Sequence, residues 1–425
     1  MSLGAIQFRN IMEMNSKAWQ ITNATLANAD AIQTTSGLYV VDGKIQTVLG
    51  SGEDVPDLLT LNLHGLQVFP GLINAHDSLL ATYEAFLPED KPCLNWLAYD
   101  NQLKTSRLFQ ERMLAGVEDL YRLGATRNLV SGVTVVLDHI PHFVRQPFQN
   151  SHLPVRLVPD FGISHSICSY SLDWGDGPRI EYERAAAADL PYITHIAEGF
   201  DPESKNSLKR LDKEGALGAH TVLVHGLSLS ESDLDLIAKR EASIVWCPVT
   251  NLAIYGQTLP VAAALERNIN VCLGSDAAMF GSPNILADIQ MAGRTLAEAG
   301  YGLNTTLGMV TKTAARVLRL KDQGTLAAGA TADFMVLKGK YPRDPFRSLV
   351  EAELSEIYLV VRDGEPLYGE ELFERIFTEL GLLFDRVPVG GSRKIITAGT
   401  KKLLDTVRSA VGRLDDFYFL PQTAD

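Results

Sequence analysis

Four side chains of metal-ligating type stand at the ends of apolar, strand-like runs: His76, His195, His225 and Asp276. Imidazole and carboxylate are ligands that a divalent zinc or iron accepts, and three protein ligands plus a water is a normal count for a catalytic ion. A single histidine ending a strand is usually a core or loop residue, and His139 is read that way. Four such residues at four strand ends are instead expected to converge, because parallel sheets and barrels gather their chemistry at the C-terminal ends of strands. The first run, 66–75, is apolar on both faces, as a parallel strand covered by helices must be, and it leads into His76-Asp77-Ser78. Alternate side chains of a strand face opposite sides, so if His76 points into a site then Ser78 does too, and Asp77 points away.

These residues need a frame to hold them. Strand-like runs at 66–75, 132–139, 155–162, 191–195, 221–225, 242–248 and 270–276 alternate with helical stretches at 105–123, 179–189, 204–214, 230–239 and 261–267. That alternation calls for parallel βα units, and an α/β fold built on a (β/α)8 TIM barrel is expected. Little room remains between 162 and 192, so a short fourth strand is expected at 164–170. On either side of the barrel the pattern turns to short β segments. Those at 19–26 and 37–49 carry Asp42-Gly43 as a hairpin turn, and those at 324–338 and 357–368 carry Asp363-Gly364. A helix is expected at 305–320. The resulting division has 1–65 and 323–370 as two parts of a small discontinuous β-sandwich domain, 66–322 as the barrel, and 371–425 as a helical extension with an amphipathic run at 401–414. Residues 1–16 read as a loose leader.

Whole-chain numbers narrow the partners. With 38 basic against 51 acidic residues the net charge is −13, which argues against a nucleic-acid or anionic-membrane partner, since both reward basic patches. No run of about 18 uncharged apolar residues occurs, and 1–17 lacks the basic-then-apolar layout of a secretory signal. A cytoplasmic protein handling a small molecule is the default, and the C-terminal helices could serve a homodimer. Cys93, Cys168, Cys247 and Cys272 form no CxxC pair, so they read as single buried thiols.

Val68-Phe69-Pro70-Gly71-Leu72-Ile73-Asn74-Ala75-His76-Asp77-Ser78 closely resembles the first-strand signature of the amidohydrolase superfamily, PGLINAHxH, whose two histidines bind a metal. His76 takes the first ligand position, and Ser78 stands at the second, where a neutral hydroxyl is a much poorer ligand than imidazole. His195-Ile196-Ala197-Glu198 resembles the family's HxxE, Leu223-Val224-His225-Gly226 its strand-six histidine, Leu273-Gly274-Ser275-Asp276 its LGTD, and Cys247-Pro248-Val249-Thr250-Asn251 its CPxSN. Gly324-Thr325-Leu326 to Ala332-Asp333-Phe334 resembles a later strand signature of the same family. The resemblance covers about residues 19–370. It implies one divalent ion, zinc or iron, on His76, His195, His225 and Asp276. It further implies proton transfer by Glu198 and Asp276, polarisation of the attacked bond by His225, and a substrate pocket shaped with Asn251; His165, in Gly162-Ile163-Ser164-His165-Ser166, reads on its own as either a substrate contact or a surface loop residue. No lysine stands at the fourth strand end to be carbamylated, so the mononuclear, cytosine-deaminase-like arrangement is implied. The reaction implied is hydrolysis of a non-peptide C–N bond in a small molecule. Ser78 and the shortened stretch between the third and fifth strands keep a second reading open, in which the site is weak or empty and the barrel serves as a metal-free binding or scaffold protein.

Overall fold

Two Asp-Gly dipeptides start the fold locally. Asp42 and Gly43 have φ of 47° and 79°, and Asp363 and Gly364 have 51° and 73°. Two consecutive left-handed residues make the tight turn whose twist matches antiparallel strands. The first joins Ala31–Val41 to Lys44–Leu49, and the second joins Ile357–Arg362 to Glu365–Glu370. In this computed structural model, which describes residues 17–89, 91–149, 151–413 and 415–422, both hairpins belong to one ten-stranded sheet built from the two ends of the chain. The leader expected at 1–16 lies outside the described residues.

Two sequence expectations change here. The apolar run 66–75 is two strands: Gln67–Pro70 pairs with Ala18–Asn28 and Phe334–Leu337 in the terminal sheet, while Leu72–Asp77 opens the barrel. Gly71 between them packs so closely on Thr134 that a Cβ would lie 2.4 Å from its Oγ1, which is why the chain can cross there without a side chain. The strands of the small discontinuous domain are hydrogen-bonded in one continuous path around a core of their own, which includes Trp19, Leu38, Phe334 and Ile395. The extension expected to be helical also holds a hairpin, Phe384–Val389 with Ser392–Thr397, which extends that sheet through Glu365–Glu370. Its Gly390-Gly391 turn has φ of 56° and 77°, two consecutive left-handed residues of the kind that join antiparallel strands.

The barrel has eight parallel strands. Leu72–Asp77, Val133–Asp138 and Arg156–Leu157 form one sheet, and Gly162–Ser166, Tyr192–Ile196, Thr221–His225, Ser243–Trp246 and Val271–Leu273 form another. They meet where Asp77 bridges Asp276. The third strand is shorter than expected and the fourth begins at Gly162, because Pro159 has no N–H to continue a ladder. Arg145, fully buried on helix His142–Gln149, covers the gap by donating to the carbonyls of Val158 and Pro159. The single helix expected at 105–123 is three, Trp96–Thr105, Arg107–Arg112 and Val117–Val130, interrupted where Ser106 caps the second through the Phe109 amide. The expected 305–320 helix is likewise two, Leu303–Met309 and Lys312–Val317. No helix among the described residues is long and apolar enough to cross a membrane. Among the described residues no disulfide forms, and Cys93, Cys247 and Cys272 are buried.

Polar side chains close the barrel seam. Asn74 donates to Ser275 Oγ at 2.7 Å and accepts from the Ser275 amide at 3.0 Å, and it also reaches Asn128 and Asp77. Asp77 points away from the barrel interior, as alternation requires, into a buried ion pair with Arg127 on helix Val117–Val130. Helix Thr400–Val411 packs its buried face, Leu403, Leu404 and Val407 included, on that same helix, so this face of the C-terminal extension is covered within its own chain.

Removing one partner of a fully buried pair leaves an uncompensated charge, a loss of about 3–5 kcal/mol. Arg127→Met is expected to lower the urea unfolding free energy by that order, and an unchanged midpoint would show that Asp77 finds other compensation. A second prediction concerns Asp288, on helix Ile285–Glu298. Burial pushes its carboxyl up to about 7 against bonds from Ser282 Oγ and the Val249 amide. A carboxyl whose folded pKa is raised binds more protons folded than unfolded, so its contribution falls as pH rises from about 4 to 7. Urea titrations across that range should show wild type losing stability relative to Asp288→Asn as pH increases; parallel curves would refute this.

Candidate functional site

The C-terminal strand ends carry the expected residues to one place. Ligand atoms of His76, His195 and His225 lie within 4.8 Å of one another. His76 Nε2 is 3.4 Å from His195 Nε2 and 3.3 Å from Asp276 Oδ1, and His225 Nε2 is 3.6 Å from Glu198 Oε1. Tetrahedral donors each 2.0–2.1 Å from a shared zinc stand about 3.3 Å apart, so the His76–His195 spacing suits a bound ion.

Backbone geometry aims these groups. His225 and Asp276 sit at φ of 77° and 58°, and Ala197, between His195 and Glu198, at 50°. Left-handed backbone is costly for side-chain-bearing residues and gathers at functional sites. Here it turns each chain sharply off the end of its strand. Gly274 lets the eighth strand approach the first: a Cβ there would lie 2.7 Å from that of His76. The closeness permits Asp276 to exchange backbone bonds with the first strand, its amide donating to the His76 carbonyl at 3.0 Å and its carbonyl accepting from Ser78 at 2.7 Å.

Hydrogen bonds behind the rings decide which nitrogen each offers. His195 Nδ1 lies 2.6 Å from the carbonyl oxygen of His165, which can only accept, so Nε2 keeps its lone pair. His225 Nδ1 donates to Asn251 Oδ1 at 2.9 Å, again leaving Nε2 free. Asn251 was expected to touch substrate. It is instead fully buried on helix Pro248–Tyr255, with its amide on Thr258, because the helix starts at Pro248 and turns the side chain behind His225.

Burial raises Glu198 above the usual carboxylate range, against the charge of His225 and the hydroxyl of Tyr255, which donates to its Oε1 at 2.6 Å. For Asp276 burial also works upward, but the bond from His76 and the charges of His225, His76 and Arg127 hold the carboxyl below that range. Burial, and then neighbouring imidazoles, keeps His195 well below the ordinary histidine value, which favours the neutral, ligand-competent form. Burial pushes His165 down to about 3. That ring is held edge-on between Trp96 and Trp174, with centroids at 4.4 and 4.6 Å.

These groups floor a cavity of about 230 Å³, whose walls include Trp96, Tyr99, His165, Trp174, Ile254 and Phe280. Ser78 and Asp100 also face it. The aromatic residues lie on connections between strands, where periodicity carries no information about direction. The histidine read as an ordinary core or loop residue, His139, lines the same cavity. Strand register places it there: it follows Asp138, the register partner of Asp77, and therefore emerges beside Ser78.

The Amidohydrolase family model matches residues 185–368. A 5-methylthioadenosine/S-adenosylhomocysteine deaminase of Syntrophobacter fumaroxidans is 26% identical over 350 residues, covering 70% of this chain and 78% of that protein. A 5'-deoxyadenosine deaminase of Methanothermobacter thermautotrophicus is 24% identical over 414 residues, covering 83% and 94%. Among solved structures, an adenosine deaminase from Xanthomonas campestris with bound zinc aligns at a TM-score of 0.69 and 18% identity, over 92% of this chain and 97% of that one. The atrazine chlorohydrolase TrzN from Arthrobacter aurescens, complexed with zinc, aligns at 0.65 and 17%, over 85% and 99%. With its eight-stranded barrel, its family-model match and these deaminase relatives, the chain belongs to the amidohydrolase superfamily.

Proposed function

We propose that this protein is a metal-dependent hydrolase that removes an amino group from an aromatic heterocycle, of the adenine-nucleoside type named for its relatives. One observation carries the reading: three imidazoles converge within 4.8 Å, with a mostly buried glutamate against one of them. The aromatic walls suit a planar ring, and the cavity volume suits a small molecule.

His76, His195, His225 and Asp276 would hold the ion. When bound, a divalent ion supplies Lewis-acid polarisation and lowers the pKa of a water toward 7. The chain's own groups handle the protons. In deamination the water oxygen bonds to the ring carbon and the carbon–nitrogen bond breaks. One water proton passes to the Glu198 carboxylate and then to the departing nitrogen, which leaves as ammonia; the other stays with the oxygenated product. A carboxyl raised by burial suits that shuttle, because it holds an accepted proton more firmly than an ordinary carboxylate before returning it. Tyr255, through its 2.6 Å bond, fixes where the carboxylate points. Asp276, held ionised, remains an acceptor throughout. His225 serves as a ligand, since its Nδ1 proton is committed to Asn251 and polarising a bond would require a second one. His165, wedged between two tryptophans, forms a neutral wall against the substrate. The alternative of a metal-free scaffold, motivated by Ser78 and by the short strand-three to strand-five region, leaves the orienting bonds on His195 and His225 without a purpose.

Glu198→Gln keeps the shape and removes the proton acceptor. Its kcat for ammonia release from an adenine nucleoside is expected to fall by about 10²–10⁴-fold with KM little changed, and full turnover would remove Glu198 from this role. Dialysis against a chelator is expected to abolish turnover and added zinc to restore it; activity that survives complete metal removal would contradict the reading.

A further inference from the structure

The first strand is one imidazole short, and a neighbouring strand offers one. Asp77 and Asp138 are register partners, the His139 amide donates to the Asp77 carbonyl at 2.9 Å, and the next residue on each strand is Ser78 or His139. Both aspartates turn away from the barrel interior, Asp77 to Arg127 and Asp138 to the hydroxyl of Tyr121, so Ser78 and His139 both turn toward the cavity.

His139 is 2% exposed, and neither ring nitrogen has a partner in hydrogen-bond geometry, although the Ser164 backbone still interacts with the ring. Two unpaired polar atoms on a buried ring are costly and call for an explanation. Its ring centre is 5.1 Å from that of His76 and 4.6 Å from that of His195. The three converged imidazoles are themselves 5.1, 5.2 and 5.9 Å apart, and two imidazoles on one zinc stand about 5 Å apart, centre to centre. His139 therefore has the spacing of a ligand without the aim of one. Unlike His195 and His225, it makes no firm bond that would resist a turn of the ring.

We propose that His139 supplies from the second strand the imidazole ligand that Ser78 cannot supply from the first. This rests on the metal-centre reading above and makes the donor set His76, His139, His195, His225 and Asp276.

The test loads apo-protein with cobalt(II) and follows metal stoichiometry, affinity by chelator competition and the visible cobalt spectrum, so that it does not depend on turnover. Wild type, His139→Ala, Ser78→His and the double variant Ser78→His/His139→Ala are compared, each with its apo melting curve as a check on folding. Wild type is expected to bind one cobalt. His139→Ala should bind at least about 10-fold more weakly with an altered spectrum, since even partners of a ligand are typically worth 10 to 100-fold. The double variant should regain affinity, because an imidazole returns from the neighbouring strand end. If His139→Ala binds like wild type with the same spectrum, His139 is no ligand, while the hydrolase reading stands. If wild type stays empty and Ser78→His fills, both fail, because the resident set, His139 included, is then insufficient. A misfolded His139→Ala leaves the decision to His139→Gln, which retains bulk and should show the same loss.

Discussion

A buried carboxylate–guanidinium pair beneath the strand ends is the constraint on which the site depends. Asp77 separates His76 from Ser78, and its side chain is committed to Arg127 and to the Asn128 amide on helix Val117–Val130. Because successive residues of a strand face opposite ways, anchoring Asp77 outward fixes its neighbours inward. Arg127 also donates to the carbonyls of Ser282 and Pro283, so the guanidinium ties the first strand, its covering helix and the segment after the eighth strand into one unit. Neither ion could stay buried alone, which makes the arrangement specific as well as stable.

Above that anchor, orientation is handled by partners that permit a single answer. A backbone carbonyl can only accept, and the oxygen of Asn251 likewise, so His195 and His225 each present the nitrogen that faces the centre. The left-handed backbone at His225 and Asp276 contributes local strain that a rigid barrel can carry, since the ladder on one side and the buried helices on the other hold those residues in place. His76 and His139 lack such back-side bonds, and they are the two rings that flank the position left short by Ser78.

The terminal segments contribute through support. The C-terminal helix covers the helix that bears Arg127, Tyr418 donates to the carbonyl of Ala278 beside the cavity wall, and Arg413 pairs with Glu84. The distal end of the chain thus braces the loop after the eighth strand, which carries Phe280 into the pocket.

Much of this was legible in the linear chain. Apolar runs ending in His76, His195, His225 and Asp276 announced a parallel barrel and the residues at its mouth, because strand length, helix spacing and hairpin turns are local properties with local signals. The outward turn of Asp77 followed from alternation alone. What the sequence could not decide depends on neighbours distant along the chain. Gly71 divides one apolar run between two sheets because Thr134 leaves no room for a side chain there. Asn251 stands behind His225 and out of the cavity because its helix begins at Pro248. His139 looked like any histidine at a strand end until the pairing of Asp77 with Asp138 put it beside Ser78. Residue types and strand ends are written in order along the chain; which side chain fills a gap left by another is set by register between strands, and only the folded barrel decides that.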